Sequence, residues 1–213
     1  MLHIVLAALF VAMVMGEGCC PPDAWEGVAG LMLGSVEDKK PHLTKGVLMF
    51  HVNTSLGMIA ISEELLVDGL KMKLRVIQDY NKKKEYIIKD GKCTKIALES
   101  SIPRCLPENS TLVEHTYIGA GSEIVAVKIY RFIIMGLEAY FTVTACDCIP
   151  LVAIVTGTLP VKQVSVMEVL EYSGITVGVK DPSVFDIPAI CQPVEMSTGY
   201  FSIMSRWRRS VFN

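Results

Sequence analysis

The sequence predicts an all-β fold with minor helix, made for an oxidising compartment. Three features carry that prediction: an apolar leader, seven cysteines spread over 213 residues, and hydrophobicity that alternates with period two. Ile4 to Met15 is an unbroken apolar run followed by Gly16. That is the length of a signal-peptide core and too short to span a bilayer. Val14 and Gly16 occupy the positions where a signal peptidase wants small residues, so cleavage is expected after Gly16. The expected organisation is a signal peptide at 1–16, a single β domain at 17–195, and a C-terminal tail at 196–213 that is expected to be flexible.

The strands follow in order from the alternation. Leu70-Lys71-Met72-Lys73-Leu74-Arg75-Val76 alternates apolar and basic residues without error, the mark of a half-buried strand. Glu123–Tyr130 reads as another, with Val125, Val127 and Ile129 on one face. The same reading places strands at Val47–Val52, Met58–Ile61, Tyr86–Lys89, Leu112–Ile118, Ala139–Cys146, Val152–Thr156, Val161–Leu170 and Ile175–Val179. Turn signals separate them: Asp90-Gly91, Gly119-Ala120-Gly121, Thr156-Gly157, Ser173-Gly174 and Asp181-Pro182. Helix signals are thin. Ser62–Val67 is compatible with one turn capped by Ser62, and Val164–Tyr172 with a short helix, although its β-branched residues favour a strand.

Composition narrows the function classes. A formal net charge of −2 supplies no basic face for nucleic acid, and Arg206–Arg209 is a basic cluster confined to the tail. No membrane-spanning segment is expected, because Ile124–Leu137 is interrupted by Lys128 and Arg131 and Ile149–Pro160 is too short. After the leader, His42, His51 and His115 are the candidate bases near neutral pH, and no Gly-x-Ser-x-Gly elbow, His-Glu-x-x-His pair or phosphate-binding glycine loop accompanies them. A non-enzymatic protein is therefore expected, with no catalytic residue. Cys146-Asp147-Cys148 has one intervening residue, against the two to four of structural zinc knuckles. Two sequons, at Asn53 and Asn109, fit passage through the secretory pathway.

Ordered motifs then resemble one family. Cys20-Pro21-Pro22-Asp23-Ala24-Trp25-Glu26-Gly27 is similar to the opening of ependymin-related proteins, and Gly91-Lys92-Cys93-Thr94-Lys95 to their lysine-flanked central cysteine. Pro107–Thr111, Tyr117-Ile118-Gly119, Cys148-Ile149-Pro150 and Gly178–Phe185, leading to Pro188-Ala189-Ile190-Cys191, continue the series. The resemblance implies two stacked antiparallel sheets around an apolar cleft, similar to bacterial lipoprotein-carrier domains. It implies a secreted or lysosomal glycoprotein, homodimeric, that binds calcium and a hydrophobic small molecule such as a fatty acid or lipid. It also implies action in the extracellular matrix, so a calcium-responsive adhesion glycoprotein without a lipid ligand is the alternative. By the same resemblance Cys20 pairs with Cys148 and Cys93 with Cys191. Cys19, Cys105 and Cys146 have no family role; Cys105–Cys146 is the expected extra pair. For calcium, Glu63, Glu64 and Asp68 form the best local acidic group, though no metal ligand is assigned. Binding of the apolar ligand is expected without a charged anchor.

Overall fold

The structure, a computed structural model, describes residues 18–98, 101–134, 136–159 and 163–192. The expected signal peptide and tail, and Val161 of one expected strand, lie outside the described residues. Among the described residues eleven strands form: β1 Ala24–Glu37, β2 Lys40–Asn53, β3 Met58–Val67, β4 Leu70–Asp79, β5 Lys84–Lys89 and β6 Lys92–Ala97 precede β7 Thr111–Ala120, β8 Glu123–Ile134, β9 Leu137–Thr144, β10 Pro150–Leu159 and β11 Val164–Val177. They make one antiparallel sheet in the order β6-β5-β4-β3-β2-β1-β11-β10-β9-β8-β7.

Turn chemistry explains the meander. Asp68-Gly69 and Asp90-Gly91 are two-residue connections with positive φ at both positions, at 48° and 87° and at 50° and 68°. That is the type I′ geometry whose twist matches antiparallel strands. Each such hairpin lays the next strand beside the last, so local chemistry builds most of the sheet.

The two stacked layers implied by the resemblance are the two halves of this single sheet. Ile59 and Ile61 of β3 line the same cleft as Phe141 and Val143 of β9. The two strands are five positions apart in the sheet order, which would separate them by about 24 Å if the sheet were flat. The sheet is therefore folded across β1 and β11, and its concave face closes on itself. Trp25, Phe50, Phe132, Phe141 and Tyr172 meet in that one interior.

The convex face has its own cover. After β11 the chain runs back across the strands, and Lys180 donates its backbone N–H to Glu26 Oε2 at 3.1 Å. Glu26, His51, Ala60, Ile77, Tyr86 and Lys95 form one cross-strand row on that face. Phe185 seats against Ala60, Ile77 and Tyr86, and Arg75 Nη2 donates to the Val184 carbonyl at 2.7 Å. Two 3-10 turns, Pro182–Phe185 and Ala189–Cys191, shape this clasp. Hydrogen bonds from the Ser183 side chain and backbone N–H hold the Asp181 carboxyl below its ordinary range. A disulfide between Cys93 on β6 and Cys191 locks the far end.

Several sequence expectations change. The helical turn considered at Ser62–Val67 and the helix considered at Val164–Tyr172 are both strand. Thr156-Gly157 and Ser173-Gly174 are not turns between strands; they lie inside β10 and β11. Gly174 has φ 60°, and the pairing of β1 with β11 shifts there, between Glu26 and Val28. It marks a bulge that bends the strand near the fold line.

Candidate functional site: an apolar cleft under a strap

The site forms where the two halves of the sheet approach each other near the N-terminus of β1. Its walls come from inward residues of both halves: Phe50, Ile59 and Ile61 on one side, Phe141, Val143 and Pro150 on the other, with Trp25 between. Trp25 is edge-on to Tyr172, with ring centroids 6.5 Å apart.

A strap closes this space. β6 and β7 are the two edges of the sheet, and the chain between them must cross from one half to the other. Pro103, Arg104, Cys105 and Leu106 of that crossing line the cleft. The strap is tied down at three points. Cys20 is bonded to Cys105, Leu106 N–H donates to the Cys19 carbonyl at 2.9 Å, and Arg104 Nη2 lies 3.4 Å from Asp23 Oδ1. Cys19 is bonded to Cys148 in the connection between β9 and β10. The N-terminal segment thus links the strap to the opposite wall.

This pairing corrects two sequence expectations. Cys148 pairs with Cys19, not Cys20, and Cys105 pairs with Cys20, not Cys146. The physical reason is that adjacent side chains of an extended segment point to opposite sides. Cys19 turns inward beside Val143, while Cys20 is exposed and faces the strap. Cys146 is exposed and is the free cysteine among the described residues.

The cleft also holds polar groups that alternation did not suggest. Gln78 and Tyr80 line it. Gln78 Nε2 donates to Glu85 Oε2 at 2.7 Å, and Tyr80 Oη donates to Gln78 Oε1 at 3.0 Å. Glu85 is fully buried, and this chain supplies part of the hydrogen bonding that a buried carboxyl group requires. With the walls closed, about 70 Å³ of free room remains. Ordinary ligand pockets offer roughly 300–1,000 Å³, so a long apolar ligand enters only if the strap or its neighbours move.

The remaining expected site residues are placed as follows. The acidic group does not converge: Glu63 is buried on the inward face, Glu64 pairs with Lys73 at 2.6 Å, and Asp68 Oδ2 lies 2.7 Å from His42 Nδ1. Hydrogen bonds from His42 and the Leu43 N–H hold the Asp68 carboxyl below its ordinary range. Among the described residues no three His, Cys, Asp or Glu side chains gather to hold a metal ion. Nor do the histidines share a site: His42 meets Asp68, His51 lies 3.9 Å from Glu26, and His115 is exposed on β7.

Of the sequons, Asn109 is exposed in the strap turn, where Ser110 N–H donates to the Pro107 carbonyl at 2.9 Å. Asn53 is half-buried at the end of β2, and its Oδ1 accepts the Leu56 N–H at 2.9 Å. Protein from a eukaryotic secretory host is expected to carry a glycan at Asn109 in every molecule and at Asn53 in most. Glycosidase treatment with peptide mass mapping checks this; an unmodified Asn109 peptide refutes it.

Fold and cleft together define an antiparallel β protein with a disulfide-tied strap over an apolar interior. The sequence pattern of the family described as Ependymin matches residues 68–191. The chain belongs to the ependymin family. It is similar to mammalian ependymin-related protein 1 of Mus musculus, 28% identical over 92% of this chain and 88% of that protein. The same protein of Rattus norvegicus is 31% identical over 60% of this chain and 65% of its own length. Among solved structures, a DUF1329 family protein from Desulfovibrio piger aligns with 76% of this chain and 89% of its own, at 8% identity and a TM-score of 0.34. A β-barrel-like DUF1849 protein from Brucella abortus aligns over 75% and 100%, at 9% identity and a TM-score of 0.28. No helix among the described residues is long and apolar enough to cross a membrane.

Proposed function

We propose that this chain is a secreted glycoprotein that holds one apolar chain, a fatty acid or related lipid, in the cleft between the halves of its sheet, without chemistry. The observation that carries the reading is the cleft itself, walled by aromatic and aliphatic side chains from both halves and covered by a tied strap. Burying an acyl chain yields about 0.8 kcal/mol per methylene, so ten of them give roughly 8 kcal/mol before association costs. A chain of about sixteen methylenes gives roughly 13 kcal/mol, which leaves micromolar affinity, about 8 kcal/mol, after an association cost of about 5 kcal/mol. The convex face away from the clasp leaves Met32, Val47, Met49 and Met167 exposed, which supports a second copy of the chain as its cover, in line with the homodimer implied by resemblance.

The reading predicts saturable binding of fluorescent fatty acids to delipidated, fully oxidised protein, with affinity rising with chain length. Native mass spectrometry of the secreted protein reads bound lipid and oligomeric state together. Absence of saturation, with no lipid carried from the host, favours the matrix-adhesion alternative and rejects the carrier.

A further inference from the structure

The apolar lining has one charged member. Of the described residues that line the cleft, Arg104 alone carries a permanent charge, and it sits on the strap rather than on the walls. Its present partner holds it weakly. Arg104 Nη2 is 3.4 Å from Asp23 Oδ1, and both side chains are more than half exposed, at 58% and 65%. The same Asp23 oxygen already accepts the Thr54 hydroxyl at 2.7 Å. Exposed single-contact ion pairs are screened by water and contribute little. A guanidinium can bind a carboxylate or phosphate through two parallel N–H donors, a geometry that the Asp23 contact does not use.

The chain of Tyr80, Gln78 and Glu85 offers no comparable seat. The Gln78 amide donates to Glu85 and accepts from Tyr80, so its ends are matched within the protein. A head group placed there would displace an existing hydrogen bond.

We infer that the strap carries a head-group subsite, in which Arg104 binds the anionic end of a single-chain amphiphile while its tail occupies the cleft. The inference rests on the carrier reading and narrows it. The ligand class is an acyl chain bearing one carboxylate or phosphate, not a neutral lipid. This revises the sequence expectation of binding without a charged anchor.

The test compares a fatty acid, a lysophosphatidic acid and a fatty alcohol of equal chain length on the full oxidised protein. For wild type, affinity for the two anions is expected to exceed that for the alcohol and to fall with added salt. Arg104→Gln is expected to weaken the anions three- to tenfold and leave the alcohol unchanged. Asp23→Asn, which removes the competing carboxylate, is expected to tighten the anions. A preference for one anion identifies the head group as carboxylate or phosphate. If Arg104→Gln binds the anions as wild type does, or weakens acid and alcohol equally, the subsite is overturned while the carrier reading stands. If wild type binds none of the three, the carrier reading fails as well.

Discussion

Protein carrying Cys93→Ala together with Cys191→Ala is expected to lose about 4–5 kcal/mol of unfolding free energy. The bond closes a loop of sequence separation 98, and in the chain-entropy model a loop near one hundred residues is worth that much. The loss should exceed that of an isolated surface crosslink, because this bond also holds packing in place. The clasp that ends at Cys191 brings Phe185 onto Ala60, Ile77 and Tyr86. Its release exposes apolar surface on the convex face, and Arg75 loses its bond to the Val184 carbonyl. Urea unfolding of wild type and double variant under non-reducing conditions, read by tyrosine and tryptophan fluorescence, measures the change. The Cys20–Cys105 and Cys19–Cys148 bonds stay intact in both proteins. A loss below about 1 kcal/mol would mean that the clasp holds without its lock, and that the loop-entropy account does not apply here.

The same elements indicate which parts of the fold were legible in sequence. β4 was plain, because Lys71, Lys73 and Arg75 stand on the opposite face from Met72, Leu74 and Val76. β1 gave no signal. Its inward side is Trp25, Gly27, Ala29, Leu31 and Leu33, and its outward side includes Val28, Gly30, Met32 and Gly34. From Gly27 to Gly34 both faces are apolar or glycine, so no alternation exists to be read there. The uncovered convex surface explains why: Met32 is 58% exposed although it looks like core. β3 misled for the opposite reason. Glu63 points inward and is buried, which breaks the polar-out rule in the stretch where a helical turn seemed compatible.

The cleft was legible only as a consequence of family resemblance. Its walls on β3 and β9 lie five positions apart in the sheet, a distance that no local pattern encodes. The strap was hidden for a related reason. Residues between β6 and β7 read as an ordinary proline-bearing loop until the sheet order shows them joining its two edges. Glu85 sits beside Lys82, Lys83 and Lys84 in sequence and looks like part of a solvated turn. The available signal was its period-two register with Ile87, both on the inward face of β5.

Cutting the strap's tether should change access to the cleft by an order of magnitude or more. With about 70 Å³ of free room, the closed site cannot take an acyl chain without displacement of its cover, so strap opening precedes loading. The bond that resists opening is Cys20–Cys105, and both of its cysteines are exposed. The other two bonds are shielded: Cys19 is 6% exposed, Cys148 9% and Cys191 0%. Cys20→Ser with Cys105→Ser leaves those two bonds and the sheet core in place and leaves the strap held by the Leu106–Cys19 hydrogen bond and the Arg104–Asp23 pair. Stopped-flow association of a fluorescent fatty acid, at a temperature well below the variant's melting transition, is expected to run at least tenfold faster than in wild type. Mild dithiol treatment of wild type should reproduce the effect, with alkylation mapping to Cys20 and Cys105 before the shielded cysteines. An unchanged association rate in the variant would remove the strap as the gate and place the rate-limiting motion within the walls of the sheet.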